Sequence, residues 1–317
     1  MNVVFMGTPD FAVPSLKALI REGYNVVAVV SQPDRPKGRK RELAPTPVKA
    51  EALAHGIPVL QPLKLRDPAA VEEIRALRPD LIVTAAYGQI LPKSVLSMPK
   101  HGCINVHASL LPKYRGGAPI HHAVMHGEPT TGVTIMYMAE GLDTGDMISR
   151  TELPILDDDT TGTLFVKLSE AGADLLVRTL PDLLAGRIEA VPQNDGEATY
   201  APNISREQER IDWTKTSTEL FNHIRGLNPV PGAFTLLNGE VFKVWESRKP
   251  SGRSPSGADR APGTVLQMTD DGLEVATGDG SIWLTRVQPA GKKAMSVSEL
   301  RRGAPIAPGT ILGAETT

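Results

Sequence analysis

Two short stretches of this 317-residue chain carry the side chains best suited to chemistry. The first, Asn105-Val106-His107-Ala108-Ser109-Leu110-Leu111-Pro112, ends an apolar run and continues through Arg115, Gly116, Gly117, Ala118 and Pro119. Side chains alternate across a strand, so Asn105 and His107 project to the same side. The second, Gly141-Leu142-Asp143-Thr144-Gly145-Asp146, offers Asp143 from a turn flanked by glycines. An amide, an imidazole and a carboxylate suit attack by an amine on a formyl carbonyl, because the tetrahedral intermediate holds an oxyanion and an extra proton on nitrogen. Asn105 can donate to the oxyanion, and His107 can donate to it or shuttle the proton, as imidazoles do near neutral pH. Asp143 would fix the ring and stabilise its charged form. Taken singly, Asn105 and His107 also read as hydrogen-bonded caps of a strand end, and Asp143 as an Asx-turn residue. No Gly-x-Ser-x-Gly motif surrounds Ser109, and the chemistry requires no covalent intermediate.

The elements around these stretches predict an α/β fold. Apolar runs at Val3 to Gly7, Val26 to Ser31, Leu81 to Ala86 and Cys103 to His107 alternate with helical patterns at Phe11 to Ile20, Val48 to His55 and Val71 to Leu77. That alternation is the signature of a mainly parallel, Rossmann-like sheet. In such sheets the ligand crevice lies at the carboxyl ends of the strands, which is where Asn105 and His107 fall. Thr46 with Pro47, and Asp67 with Pro68, mark helix starts, and Gly56 marks a helix end. Thr161 to Leu184 reads as a long helix weakened by Gly162 and Gly172. From Pro192 to Arg206 the chain collects Pro, Asn, Asp and Gly, so a first domain is expected over residues 1–190, a linker over 191–206 and a second domain over 207–317. Beyond the linker, Ala233 to Leu237, Val241 to Glu246, Gly263 to Met268, Leu273 to Thr277 and Ser281 to Val287 read as strands of a small β barrel, with turns at Asn238-Gly239 and Asp271-Gly272. Ser247 to Gly263, rich in Ser, Gly, Pro and Arg, reads as a mobile loop.

Composition sets outer limits. At 41% hydrophobic and 22% charged residues the chain is of ordinary globular type. Its one cysteine, Cys103, can make no internal disulfide, and no cysteine pair suggests a metal, so a reducing cytoplasm is expected. The run Val3 to Met6 is too short to span a bilayer and has no basic leader, so no export or membrane role is expected. A formal charge of −2 gives no global attraction to nucleic acid. A local one exists, since Arg35, Lys37, Arg39, Lys40 and Arg41 concentrate positive charge in a loop with Pro33, Pro36 and Gly38. Phosphates would be attracted there. The same run also reads as a solvated surface, and Lys292 and Lys293 divide equally between a phosphate contact and a solvated turn.

Asn105, His107, the run Ser109 to Pro112 and Asp143 in its Gly-Leu-Asp-Thr-Gly loop together resemble the formyltransferase family that uses 10-formyltetrahydrofolate. The resemblance implies catalytic roles for Asn105, His107 and Asp143, and folate contacts from Ser109, Leu110, Leu111 and Pro112. Tyr87-Gly88-Gln89-Ile90-Leu91-Pro92 is similar to a segment that helps wall the pterin pocket. Gly7-Thr8-Pro9-Asp10-Phe11, Ser31-Gln32-Pro33-Asp34-Arg35-Pro36 and Pro289-Ala290-Gly291-Lys292-Lys293-Ala294-Met295 extend the likeness over nearly the whole chain. They point to the branch of the family whose acceptor is initiator methionyl-tRNA. That branch joins a Rossmann-like domain to a C-terminal barrel similar to an OB fold. It also implies that the basic loop enters the acceptor arm, with Arg39 the match to its functional arginine. A cytoplasmic monomer with no metal is the expectation.

Three other readings compete. A folate-dependent transferase or hydrolase acting on a sugar amine, glycinamide ribonucleotide or water would share the core, but the basic loop and barrel argue against it. A nucleotide-dependent dehydrogenase lacks its G-x-G-x-x-G fingerprint, since Pro9 interrupts the spacing. An RNA-binding protein without catalysis leaves Asn105, His107 and Asp143 without purpose.

Overall fold

Strand runs made wholly of apolar residues must be covered on both faces, and the N-terminal half meets that demand with helices packed about a mostly parallel sheet. The computed structural model describes residues 1–38, 41–249 and 259–314. Strands β1 (Asn2–Gly7), β2 (Asn25–Val30), β3 (Arg35–Lys37), β4 (Glu42–Ala44), β5 (Val59–Leu60), β6 (Leu81–Ala85), β7 (Cys103–His107), β8 (Thr130–Tyr137) and β9 (Met147–Pro154) are interspersed with helices, with β2 to β4 and β8 to β9 following one another directly. The main sheet has the order β5-β2-β1-β6-β7-β8-β9, and β3 and β4 pair apart from it. Neighbours from β5 to β7 run parallel, and β8 is antiparallel to β7. Val3, Val4, Phe5 and Met6 of β1 are fully buried. The chain winds outward in both directions from β1 and β6, so the order reverses between them, and the crevice of an open α/β sheet lies outside the carboxyl ends at such a point.

The helices are α1 (Val13–Arg21), α2 (Pro47–Ala54), α3 (Pro68–Ala76), α4 (Lys93–Leu96), α5 (Pro119–Met125) and α6 (Thr161–Leu184). Thr46 caps α2 as expected, its hydroxyl accepting from Lys49 N at 3.1 Å. Asp67 precedes α3, but its carboxylate makes no capping bond, so Pro68 alone marks that start. The glycines expected to weaken α6 do not interrupt it. A Cβ on Gly172 would lie 2.8 Å from Val106 Cγ1, so the bare backbone lets α6 lie close against β7.

Two compact units divide the chain: residues 1–119, 131–153 and 165–201 form the first, and residues 120–130, 154–164 and 202 onward form the second. The stretch expected as a linker therefore belongs to the first unit as far as Ala201. The second unit holds α7 (Arg206–Glu209), α8 (Ser217–Gly226), α9 (Val297–Gly303) and strands β10 (Ala233–Leu237), β11 (Glu240–Ser247), β12 (Val265–Thr269), β13 (Gly272–Thr277), β14 (Gly280–Gln288) and β15 (Met295–Ser296). These strands form one antiparallel sheet in the order β10-β11-β14-β13-β12, with β15 on β14. Asn238 and Gly239 both take positive φ, 53° and 79°, the two-residue hairpin that the Asn-Gly pair foretells. The sequence reading passed over α8 and α9, although both open on capping boxes, Thr216 with Glu219 and Ser296 with Glu299. Residues 250–258, inside the segment expected to be mobile, lie outside the described residues.

Leu220, Phe221 and Ile224 of α8 join Phe242, Val244, Val275, Ile282 and Leu284 of the sheet in the core of this unit. Phe242 is 1% exposed, and truncating a buried Phe typically costs about 3–5 kcal/mol. All three tryptophans, Trp213, Trp245 and Trp283, lie in this unit, so their emission reports on it alone. Phe242→Ala is expected to move the urea midpoint read by tryptophan fluorescence downward by that amount of stability. An unchanged midpoint would contradict the core described.

Candidate active site

Asn105 is placed by pairing between β6 and β7, which sets it beside Thr84. Thr84 is a polar residue in an otherwise apolar strand and is 2% exposed. Its hydroxyl lies 2.8 Å from Asn105 Oδ1 and donates to it. The carbonyl end of the amide is thereby taken, and Nδ2 finds no acceptor among the described residues. A preorganised, unspent N–H donor is what an oxyanion needs. Sequence reading missed Thr84, although a buried hydroxyl in an apolar strand is itself a signal.

His107 is 6% exposed. Its Nε2 lies 2.8 Å from the backbone carbonyl oxygen of Tyr114, which can only accept, so Nε2 carries the proton. The Ser109 hydroxyl donates to the same oxygen at 2.7 Å. This leaves Nδ1 as the ring position whose protonation can change, and it lies 3.9 Å from Asp143 Oδ2. That is too long for a hydrogen bond and within ion-pair distance of the ring. The ring is thus held by Tyr114 rather than by Asp143, and the carboxylate faces the nitrogen that can become charged.

Asp143 sits at φ 51°, the left-handed region that costs a residue with a Cβ about 1–2 kcal/mol. Three bonds hold it there. Gly116 N donates to Oδ2 at 2.8 Å, and Gln193 Nε2 donates to the carbonyls of Asp143 and Gly145 at 2.8 and 2.7 Å. A Cβ on Gly145 would lie 1.7 Å from the Tyr137 carbonyl oxygen, so that position admits only glycine. The carboxylate's partner lies 27 residues away, so it serves a distant loop rather than an Asx turn.

In the run expected to meet folate, Ser109 and Leu111 are 2% and 1% exposed, and the Ser109 hydroxyl is committed to Tyr114. Leu110 and Pro112 are only partly buried, so their side chains remain available to a ligand. Tyr87 is buried at the switch point, where its carbonyl accepts from the Thr8 hydroxyl at 2.9 Å and from Gln32 Nε2 at 3.3 Å. Burial pushes the Tyr87 phenol up to about 12. Gln89 ties this segment to the turn at Pro62 to Leu65.

The basic stretch is a β hairpin rather than an irregular loop: Arg35 pairs with Ala44, Pro36 with Leu43 and Lys37 with Glu42. Arg35 and Arg41 are exposed, and Arg39 and Lys40 lie outside the described residues. The base of the hairpin is braced on both sides. Ser31 and Thr46 share a buried hydrogen bond at 2.6 Å, and Lys49 Nζ pairs with Asp34 Oδ2 at 2.6 Å. Hydrogen bonds from Lys49 and then Gln61 hold the Asp34 carboxyl below the usual carboxylate range.

The structure therefore brings Asn105, His107 and Asp143 to one place, and it pairs the arms of the basic hairpin as a two-stranded sheet of their own. Residues 1–180 match the family described as formyl transferase, and residues 203–305 match the formyl transferase C-terminal domain. A methionyl-tRNA formyltransferase from Geobacillus thermodenitrificans is 58% identical over 315 residues, which cover 98% of this chain and 98% of that protein. Another, from Bacillus subtilis, is 57% identical over 313 residues, with 98% of each chain covered. Among solved structures, an N-formyltransferase from Helicobacter canadensis in complex with folinic acid and dTDP-3-aminofucose aligns with a TM-score of 0.69 at 20% identity, covering 90% of this chain and 98% of that one. At that identity the likeness is one of fold. The identity to the two bacterial relatives and the matches at both ends together establish that the chain belongs to the formyl transferase family and, within it, to the methionyl-tRNA formyltransferases.

Proposed function

We propose that the chain transfers the formyl group of 10-formyltetrahydrofolate to the free α-amino group of initiator methionyl-tRNA, giving the N-formylated aminoacyl-tRNA used to begin translation. The observation that carries this reading is the division of labour among three side chains. Asn105 keeps an unspent amide N–H for the oxyanion, and His107 keeps Nδ1 for a proton. The Asp143 carboxylate lies 3.9 Å from that nitrogen. When the amine nitrogen adds to the formyl carbon, the carbonyl electron pair moves to oxygen, where Asn105 Nδ2 donates a hydrogen bond. His107 Nδ1 accepts the proton lost by the attacking nitrogen and returns it to the folate nitrogen as the carbon–nitrogen bond breaks. Asp143 stabilises the imidazolium between these two steps.

Leu110, Pro112 and the wall at Tyr87 to Pro92 are the residues that would receive the folate. The exposed cations Arg35 and Arg41, with Lys37, Arg39 and Lys40, would meet phosphates of the acceptor arm, and residues 207–317 would meet the tRNA body. Such contacts supply affinity that falls with salt. A sugar amine or glycinamide ribonucleotide as acceptor leaves the braced hairpin without use. A cytoplasmic monomer is the setting we propose; there the buried Cys103 thiol, pushed up to about 12, stays unreactive.

Three outcomes test this reading. With folate donor present, formyl incorporation is expected into methionyl initiator tRNA and not into glycinamide ribonucleotide, a sugar amine or water; the reverse preference would overturn the assignment. Asn105→Ala is expected to lower kcat by about 10² to 10³, whereas a loss below about fivefold would remove the amide from the mechanism. Arg39→Ala is expected to raise KM for methionyl-tRNA strongly while folate binding stays close to wild type. Equal losses in both would count against a tRNA role for the hairpin.

A further inference from the structure

Residues 191–201 have the composition of a linker, yet they are bound to the first unit by backbone and side-chain hydrogen bonds. Val191 and Met147 exchange backbone hydrogen bonds, each 2.8 Å, at the start of β9. Further along, Thr199 N donates to the Pro112 carbonyl at 3.2 Å, Arg115 N donates to Thr199 O at 2.8 Å, and Ala201 N donates to Arg115 O at 2.7 Å. The strap is thus laced to the segment that carries Tyr114 and Gly116, the backbone partners of His107 and Asp143.

At the centre of this lacing lies Arg115, 2% exposed and the largest fully buried side chain among the described residues. Its guanidinium satisfies three partners from the strap: Nε donates to Gln193 Oε1 at 3.0 Å, Nη2 to Asp195 Oδ1 at 2.7 Å and Nη1 to the Tyr200 hydroxyl at 3.3 Å. With its Oε1 held, Gln193 has its Nε2 fixed in orientation, and both N–H groups go to the Asp143 loop. An amide that accepted from Arg115 and donated to the loop could not be replaced by a carboxylate, which has no N–H to give.

Given formyl transfer at Asn105, His107 and Asp143, on which the assignment rests, we propose that Gln193, oriented by the buried Arg115, is a positioning residue that holds the Asp143 carboxylate against His107 Nδ1. Gln193 lies 50 residues from Asp143 in sequence and touches no reacting atom. It acts through the Asp143 loop, whose left-handed backbone at residue 143 needs external ties. Releasing the two carbonyls lets the loop relax and widens the 3.9 Å gap between carboxylate and ring.

The test is a double-mutant cycle in steady-state formyl transfer to methionyl-tRNA, using the full chain and the variants Gln193→Glu, Asp143→Asn and the pair. Gln193→Glu is expected to lower kcat by about 10- to 100-fold, as small misplacements of a catalytic group do, with KM for both substrates changed by less than about threefold. In the Asp143→Asn background the same change is expected to cost less than about threefold more, because the group that Gln193 positions is already gone. Gln193→Met, which has the length and no donor, carries the same cycle should Gln193→Glu fail to fold. Losses that multiply fully across the cycle, or a raised KM with kcat intact, would overturn the role of Gln193 while leaving the reading of the site in place. A wild-type protein that moves no formyl group would instead overturn the reading of the site and the assignment with it.

Discussion

A single backbone carbonyl, that of Tyr114, decides how this site can work. It is an acceptor with no proton to give, so the His107 nitrogen that meets it at 2.8 Å must be the protonated one. The other nitrogen is left to gain and lose a proton, and it is the one that faces Asp143. Had the carboxylate been the group that held the ring, its proton would have been spent on a structural bond. Assigning that task to the main chain leaves the carboxylate to respond to charge. The same carbonyl also fixes the Ser109 hydroxyl, so one oxygen immobilises both the imidazole and the first turn beyond β7.

The shared face of Asn105 and His107 and the turn that carries Asp143 were legible in the sequence because their message is local. Asn105 and His107 share a strand face, and a two-residue period is visible in any stretch of chain. The glycines around Asp143 likewise foretell a turn, and Gly145 is required at the point where a Cβ would strike the Tyr137 carbonyl oxygen. The strands of the second unit were legible for the same reason, as was the Asn238-Gly239 hairpin. What escaped was non-local or was masked by composition. Thr84 acts across the sheet, 21 residues from its partner. Arg115 and Gln193 meet over 78 residues, and nothing in the polar run Pro192 to Arg206 announces that it is bound to a buried guanidinium. The capping boxes of α8 and α9 were readable and were outweighed by the β-rich pattern around them.

Electrostatics is handled differently around His107 and in the basic hairpin of the first unit. Around His107 the charge is individually placed, with the partly buried Asp143 carboxylate 3.9 Å from Nδ1. In the hairpin the described cations Arg35 and Arg41 are exposed, where attraction is long-ranged and screened by salt. The frame beneath it compensates for that looseness. The Asp34 and Lys49 pair and the Ser31 and Thr46 bond bring the two arms of the hairpin together, so its base is fixed.

The order in which the chain visits its two units has an evolutionary consequence. It passes from one to the other five times, at residues 119, 130, 153, 164 and 201. Segments 120–130 and 154–164 are woven into the second unit: Thr161 Oγ1 donates to Gly226 O at 2.6 Å, and Arg225 Nη1 to Leu156 O at 2.7 Å. Recombination at the last crossing, after residue 201, would thus import a C-terminal module and leave two of its own pieces behind. Exchange of the second unit has to preserve those embedded segments, which favours gradual divergence of the paired units over the shuffling of independent parts.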